Sequence, residues 1–158
     1  MADAAEKLGD ELLQWVTFRL AEETYGINVM QVQEVLRVTE IAPVPGSPDY
    51  VIGIINLRGN VVTVVDTRSR FGLPSKEPDD LSRIVIIESG DQEIGILVDS
   101  VAEVVELRAS DMESAPNVGN EESSRYIQGV TSQDGQLLIL VDLNKFLTDE
   151  ELAEIESL

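Results

Sequence analysis

An internal duplication is the feature of this 158-residue chain that most constrains its fold. Residues 15–36, WVTFRLAEETYGINVMQVQEVL, align without a gap with residues 84–105, IVIIESGDQEIGILVDSVAEVV, at an offset of 69 positions. Residues 49–66 align in the same way with residues 125–142, at an offset of 76 positions. The extra residues of the second unit fall in the polar segment 106–125, which has the composition of a loop. The chain is therefore predicted to contain two units of the same fold.

Both units contain the same predicted elements in the same order. A strand at Trp15–Leu20 is followed by a polar turn and a second strand at Tyr25–Val29, and the matching strands of the second unit are Ile84–Glu88 and Glu93–Val98. Each unit ends in a hairpin whose second strand is a continuous apolar run, which is typical of strands closed into a barrel. We therefore predict a mainly β fold of two similar β-barrels with short helices.

A short helix is predicted between the second strand of the first unit and its hairpin. Val29, Val32, Val35 and Leu36 have the spacing of one helix face, and this periodicity favours core packing over contact with a partner. Glu34 lies in the same segment. It is either a solvent-facing acid or one partner of an ion pair with an arginine of its own lobe or of another protein.

The predicted boundaries follow the repeats and the composition of the two ends. We expect an acidic tail over 1–13, a folded region over 14–147 with subdomains at about 14–80 and 81–147, and an acidic helix over 148–158. Whether strands are exchanged between the subdomains stays open. Thr148 and Glu151 have the spacing of a capping box, which predicts the start of the terminal helix. Leu152 and Ile155 of that helix are expected to face inward.

The composition excludes several classes of function. The net charge of −19 repels nucleic acids and anionic membrane surfaces. Without cysteine or histidine there are no disulfides, no thiolate or imidazole metal ligands and no nucleophile–histidine pair. We predict no catalytic residue, no cofactor, no metal and no membrane insertion, and we expect a cytoplasmic protein. A small-ligand-binding barrel and a carboxylate hydrolase stay open, although no pair of acids in a cleft is evident.

Arg58 is unexpected at the tip of the first hairpin, directly before a glycine. The equivalent tip of the second unit, residues 134–135, is Asp-Gly, an ordinary turn dipeptide. A type II turn tolerates arginine at its first central position without favouring it. Arg58 is either a solvated charge or a recognition residue, since arginine is over-represented at interface hot spots. Arg68 and Arg70 make residues 58–70 the most basic stretch of this acidic chain.

Several separated motifs resemble CheW-type chemotaxis coupling proteins. Residues 16–36, VTFRLAEETYGINVMQVQEVL, lead through a proline-containing connector to residues 51–72, VIGIINLRGNVVTVVDTRSRFG, which carry the Asn-Leu-Arg-Gly hallmark of that family. Residues 83–107 and 126–147 continue the resemblance, which covers about 14–147. One departure follows the hallmark strand, where this chain has Asp-Thr-Arg and family members commonly have Asp-Leu-Arg.

The resemblance implies a fold of two five-stranded SH3-like barrels and a non-catalytic adaptor function. Such an adaptor bridges the cytoplasmic tips of chemoreceptors, the methyl-accepting chemotaxis proteins, to the histidine kinase CheA, whose regulatory domain has the same fold. It is cytoplasmic and is recruited to membrane-associated receptor arrays. A second possibility is a coupling module of a related non-flagellar chemosensory pathway. The family domain also occurs within the kinase and fused to a receiver, but the length of this chain favours a stand-alone adaptor.

The resemblance also implies a set of partner-binding residues. Arg58 and Glu34 match the interacting arginine and glutamate of the family, both implicated in receptor coupling. Five further residues fall at positions associated with receptor or kinase binding: Val32, Gly53, Ile94, Gly95 and Val104. Neighbouring residues complete the predicted set: Val35, Leu36, Asn56 and Leu57.

Overall fold

The structure is a computed structural model, and it describes residues 12–89, 91–113, 126–133, 135–143 and 147–157. Its strands are β1 Leu12–Leu20, β2 Glu23–Asn28, β3 Val32–Arg37, β4 Val51–Leu57, β5 Asn60–Asp66, β6 Arg83–Ser89, β7 Gln92–Val98, β8 Ser100–Arg108, β9 Ile127–Gln133 and β10 Gln136–Val141. Its helices are α1 Thr67–Arg70 and α2 Asp149–Glu156, with short 3-10 turns at Val29–Gln31 and Ala109–Asp111. The predicted mainly β fold with short helices is confirmed.

The strands form two five-stranded sheets, and each sheet takes strands from both repeats. The first sheet has the order β8-β1-β2-β10-β9, and the second has the order β3-β6-β7-β5-β4. Two parallel pairings, β2 with β10 and β5 with β7, join the first half of the chain to the second. The subdomain division near residue 80 therefore separates the sequence repeats but does not separate the two sheets.

Each sheet is closed by a short bridge beyond its last named strand. In the second sheet, Ala42 and Ile54 exchange backbone hydrogen bonds of 2.9 and 2.8 Å. In the first sheet, Glu113 and Val130 exchange bonds of 2.8 and 2.9 Å at the equivalent place. Each bridge links the chain beyond one edge strand, β3 or β8, to the opposite edge strand, β4 or β9. The predicted pair of barrels is obtained in this way.

Gly53 and Gly129, which are equivalent in the repeat, permit this closure. A Cβ atom on Gly53 would fall on the carbonyl oxygen of Ala42, and a Cβ atom on Gly129 would lie 2.7 Å from the carbonyl oxygen of Glu113. Both glycines are therefore required for the close approach of two backbones.

The main hydrophobic core contains side chains from both sheets. Phe18 and Ile27 of the first sheet and Ile87 and Ile94 of the second belong to one buried cluster, and each of these four side chains is fully buried. Ile155 of α2 completes the cluster at its edge. Because strands of both halves contribute to this core, neither half can bury its apolar surface alone.

The prediction of a helix over residues 29–36 is wrong. The chain makes a single 3-10 turn at Val29–Gln31 and then enters β3, which pairs with β6. Residues of β3 alternate between half-buried and exposed, so Val35 and Leu36 lie on opposite faces of the strand. The β-branched valines fit a pleated strand better than a helix, and the pairing with β6 decides the conformation.

The predicted start of the C-terminal helix is confirmed. The Thr148 amide donates to Glu151 Oε1 at 2.9 Å, and the Glu151 amide donates to Thr148 Oγ1 at 3.1 Å, which completes the capping box. Ile155 is buried and Leu152 is half-buried, as expected of the inward face.

We predict that Gly53→Ala lowers the free energy of unfolding by about 3 kcal/mol, because the added methyl group meets a rigid carbonyl oxygen. Gly129→Ala, at the equivalent closure, should also destabilise the fold. Gly46→Ala is the control: nothing lies within 4 Å of the added Cβ, so only the positive φ of 80° is penalised, by about 1 kcal/mol. Urea unfolding of the three variants measures the difference. Equal losses at Gly53 and Gly46 would contradict the close-approach explanation.

Candidate partner-binding surface

The tip of the hairpin between β4 and β5 has an unusual backbone. Arg58 has a φ of 51° and Gly59 has a φ of 87°, so both central residues of the turn lie in the left-handed region. Two positive φ values characterise a type I′ turn, whose preferred first residues are Asn, Asp and Gly. The tip is therefore not the type II turn that would tolerate arginine at this position. Asn56 supports the tip, since its Oδ1 accepts a 2.9 Å hydrogen bond from the Gly59 amide.

Arg58 forms a two-pronged ion pair with Glu34 of β3. Its Nη2 donates to Glu34 Oε1 at 2.7 Å, and its Nη1 donates to Glu34 Oε2 at 3.0 Å. The Arg58 side chain is nevertheless 69% exposed, and that of Glu34 is 30% exposed. The ion pair with an arginine of its own lobe, one of the two alternatives for Glu34, is confirmed.

The ion pair shifts the titration of both groups. The hydrogen bond from Arg58 holds the pKa of the Glu34 carboxyl below its ordinary value, and the same bond raises the pKa of Arg58. Exposed ion pairs contribute little to folding stability, because water screens the charges and two side chains lose freedom. The effect of this pair is therefore geometric: it fixes a guanidinium group at the surface in one orientation.

Arg68 and Arg70 do not extend the basic surface, although they follow Arg58 closely in sequence. Arg68 donates two hydrogen bonds, of 2.9 and 2.6 Å, to the carboxylate of Asp99, and it thereby lowers the pKa of that carboxyl. Arg70 donates two, of 2.6 and 3.0 Å, to Glu151 of α2. The side chains of both arginines are largely buried. Of the three arginines, only Arg58 presents its charge to solvent.

The other predicted partner-binding residues divide into three groups. Val32, Leu36 and Leu57 are half-buried and pack against the core clusters. The exposed group comprises Val35, Val104 and Asn56. Val35 lies on the second sheet and Val104 on the first, so the predicted positions are distributed over both sheets.

Gly53, Ile94 and Gly95 form the third group and are buried. A Cβ atom on Gly95 would lie 2.8 Å from Cγ2 of Ile84, so this glycine makes room for a core side chain. The association of these three positions with receptor or kinase binding, which the resemblance implies, stays a prediction. In this structure they determine the shape of the barrel beneath the surface.

The sequence pattern did not indicate that exposed apolar residues occur in pairs between the repeats. Large apolar side chains are exposed at equivalent positions of both units, and the three pairs are Leu12 with Leu81, Val35 with Val104, and Val61 with Leu137. The alignment contained this signal for the pairs Val35 with Val104 and Val61 with Leu137, and the same offset of 69 positions relates Leu12 to Leu81. It was hidden because Val61 and Leu137 begin continuous apolar runs that otherwise predict buried strands.

Within the described part of the chain, no three carboxylates lie close enough together to hold a metal ion. A search of the same residues finds no helix with the length and apolar character needed to span a membrane.

A profile of the CheW-like domain matches residues 14–151. The chain belongs to this family. It is 36% identical over 155 residues to the chemotaxis protein CheW of Treponema pallidum, covering 96% of this chain and 91% of that protein. It is 35% identical over 144 residues to the chemotaxis protein CheW of Bacillus subtilis, covering 91% and 90%. Its fold is similar to the crystal structure of the scaffolding protein TtCheW from Thermoanaerobacter tengcongensis, with a TM-score of 0.78, 34% identity and coverage of 85% and 91%.

We predict that Arg58→Gln raises the pKa of the Glu34 carboxyl toward its ordinary value, because the hydrogen bonds that stabilise the carboxylate are lost. Since the folded-state pKa is lowered, the stabilising contribution is present above the unfolded pKa and is lost as pH falls through the folded pKa. Carboxyl-carbon NMR titration measures the shift. Arg37 is an exposed arginine on β3, the strand that also contains Glu34. As a control, Arg37→Gln should leave the pKa of the Glu34 carboxyl unchanged. An unaltered Glu34 titration in Arg58→Gln would contradict the pair in solution.

A second prediction concerns the ion pair between Arg70 and Glu151. Glu151→Gln keeps a side-chain oxygen for the capping box but removes the charge that faces the buried guanidinium. We expect Glu151→Gln to lower the free energy of unfolding by about 3 kcal/mol, because the buried Arg70 guanidinium loses its charged partner. Glu150→Gln, an exposed position of the same helix, should change stability little. Chemical denaturation that shows equal stability for the two variants would argue against a structural role for this pair.

Proposed function

We propose that this chain is a non-catalytic scaffold that couples chemoreceptors to the histidine kinase CheA in chemotaxis signalling. Membership of the CheW-like family supports the proposal, as do relatives named as chemotaxis protein CheW and as a scaffolding protein. The proposed partners are the cytoplasmic tips of methyl-accepting chemotaxis proteins and the regulatory domain of the kinase. The scaffold would act in the cytoplasm, at membrane-associated receptor arrays.

The observation that carries this proposal is the strained and exposed arginine at the hairpin tip. A non-glycine residue with positive φ is unfavourable, and asparagine or glycine would suit the Arg58 position better. Strained residues persist where function requires the side chain. The second hairpin has Asp-Gly at the equivalent place, so the fold itself does not require arginine there.

The chemistry of Arg58 suits recognition of another protein. Its guanidinium is held by Glu34 but remains exposed, so donor groups and a flat apolar face are available to a partner without a new loss of side-chain freedom. In a chain of net charge −19, this position is also a local reversal of sign. Both features are typical of an interface anchor.

The paired exposed apolar residues support simultaneous binding of two partners. Val35 and Val61 lie on the second sheet, and their equivalents Val104 and Leu137 lie on the first. Two surfaces of similar design on two barrels suit a scaffold that holds a kinase and a receptor together. A conformational change in the receptor could then shift the populations of kinase states through a fixed attachment. The buried Gly53 and Gly95 would influence binding through the shape of the barrel.

The test compares Arg58→Asn with Arg58→Glu. Asparagine suits the type I′ turn, so Arg58→Asn should melt at the same temperature as the wild type or at a higher one, while binding to the receptor fragment or the kinase regulatory domain falls about tenfold or more. Arg58→Glu should bind more weakly still. Arg37→Asn, which removes another exposed arginine, is the control for net charge. Differential scanning fluorimetry and isothermal titration calorimetry provide the two measurements.

A charge-swapped double variant separates the two roles of Arg58. Arg58→Glu combined with Glu34→Arg can restore the ion pair with the two charges exchanged between the positions. Recovery of binding would assign the function to the pair, and absence of recovery would assign it to direct contact by Arg58. Unchanged affinity of folded Arg58→Glu for both partners would refute the proposed role.

A further inference from the structure

An apolar groove lies beside the first hairpin, on a surface that includes none of the predicted site residues except Asn56. Two cavities of about 340 and 350 Å³ share Ile54 and Val61 as lining residues, so they adjoin. Apolar side chains from the connector before β4 and from α2 also line them. We call this surface the hairpin groove and define it by Ala42, Val44, Ile54, Val61 and Ile155.

Val61 is the most exposed large apolar residue of the groove. This residue is 68% exposed, whereas the following residues of β5, from Val62 to Val65, are buried. Covering such a side chain with a partner removes apolar surface from water, which favours association. The groove therefore offers an apolar floor that folding leaves uncovered.

The wall of the groove on the α2 side is held in place by specific interactions. Arg70 anchors the first turn of α2 through the ion pair with Glu151. Gln92 Nε2 donates a 3.0 Å hydrogen bond to the Leu152 carbonyl oxygen, and Ile155 is buried in the main core. The groove is thus largely formed before any partner arrives, which reduces the entropy lost on binding.

The charge on the rim indicates the chemistry of the partner. Glu40, Glu93 and Glu156 line the two cavities, and no lysine or arginine is among the described lining residues. The nearby Arg58 already has Glu34 as its partner. The rim therefore favours cationic groups. A second copy of this chain, with a net charge of −19, is a poor occupant for the same reason.

We propose that the hairpin groove binds an amphipathic segment of a protein partner, whose apolar side chains lie between the hairpin and α2 and whose lysines or arginines face the three glutamates. This inference rests on the proposed scaffold function and adds to it the surface and the chemistry of the bound segment. The groove and the Arg58–Glu34 pair share the same hairpin, so one partner can contact both.

The apolar part of the inference is tested with Val61→Asp and a matched control. Met30→Asp places the same charge at another exposed apolar residue, which is 87% exposed and lines neither cavity of the groove. Titration calorimetry measures the affinity of the full chain for the receptor fragment and for the kinase regulatory domain. For one of these partners, we expect Val61→Asp to raise Kd about tenfold and Met30→Asp to change the same Kd less than twofold. Far-ultraviolet circular dichroism confirms that both variants are folded.

The electrostatic part is tested through the salt dependence of binding. The triple variant Glu40→Gln, Glu93→Gln and Glu156→Gln should bind more weakly to the partner whose affinity Val61→Asp reduces. Its plot of log Kd against the logarithm of the salt concentration should also have a shallower slope. The control triple variant, Glu22→Gln, Glu77→Gln and Asp80→Asn, changes the net charge equally at exposed positions elsewhere. Its slope should stay close to that of the wild type.

The outcomes separate this inference from the proposed function. A wild-type chain that binds both partners, with Val61→Asp binding both unchanged, overturns the groove and leaves the scaffold function intact. Equal losses in Val61→Asp and Met30→Asp also overturn it, because the effect is then not specific to the groove. Self-association of the wild type that Val61→Asp abolishes would assign the groove to a second copy and contradict the inference. If the wild type binds neither partner, both proposals fall.

Discussion

Parallel pairing between strands from opposite halves of the chain is the constraint on which the rest of the structure depends. The chain leaves the first sheet after β2 and leaves the second sheet after β7, so each barrel is completed only by the other half. Both crossovers are held by polar groups. Gln31 donates to Asp142 at the first, and Asp99 accepts from Arg68 and from the Ala21 amide at the second. One shared core and a fixed relation between two outer surfaces follow from this exchange.

The two repeats have kept the interactions that close the barrels and have diverged at the surface. Gly53 and Gly129 have the same function, since each glycine lets a backbone carbonyl from another segment approach its strand closely. The hairpin tips differ, and only the first has an arginine, Arg58. Its strained backbone and exposed ion pair contribute little to the stability of the fold. Duplication provided two similar surfaces, and the difference between them supports the proposal that each binds a different partner. In so acidic a chain, the exposed guanidinium of Arg58 also restricts which partners can approach that tip.

Much of the fold was accessible from the sequence because it depends on local pattern. The gapless alignment of the repeats, the strand signals and the glycine-tipped hairpins predicted the β architecture, and the spacing of Thr148 and Glu151 predicted the start of α2. The candidate site was accessible only in part. Contrast between the two hairpin tips identified Arg58, and Glu34 was identified as a possible member of an ion pair. The segment 29–36 was predicted incorrectly because a short run of valines has a spacing compatible with either helix or strand.

The sequence by itself determined that the chain contains two related β units and where their turns lie. It also identified Arg58 as an unusual residue for the tip of a hairpin. The tertiary structure alone decided that strands are exchanged, that Arg58 pairs with Glu34, that Gly53, Ile94 and Gly95 are buried, and that Val61 is exposed. The physical reason is that turns and caps are stabilised by residues a few positions apart, whereas pairing of strands and burial depend on partners that are distant in sequence.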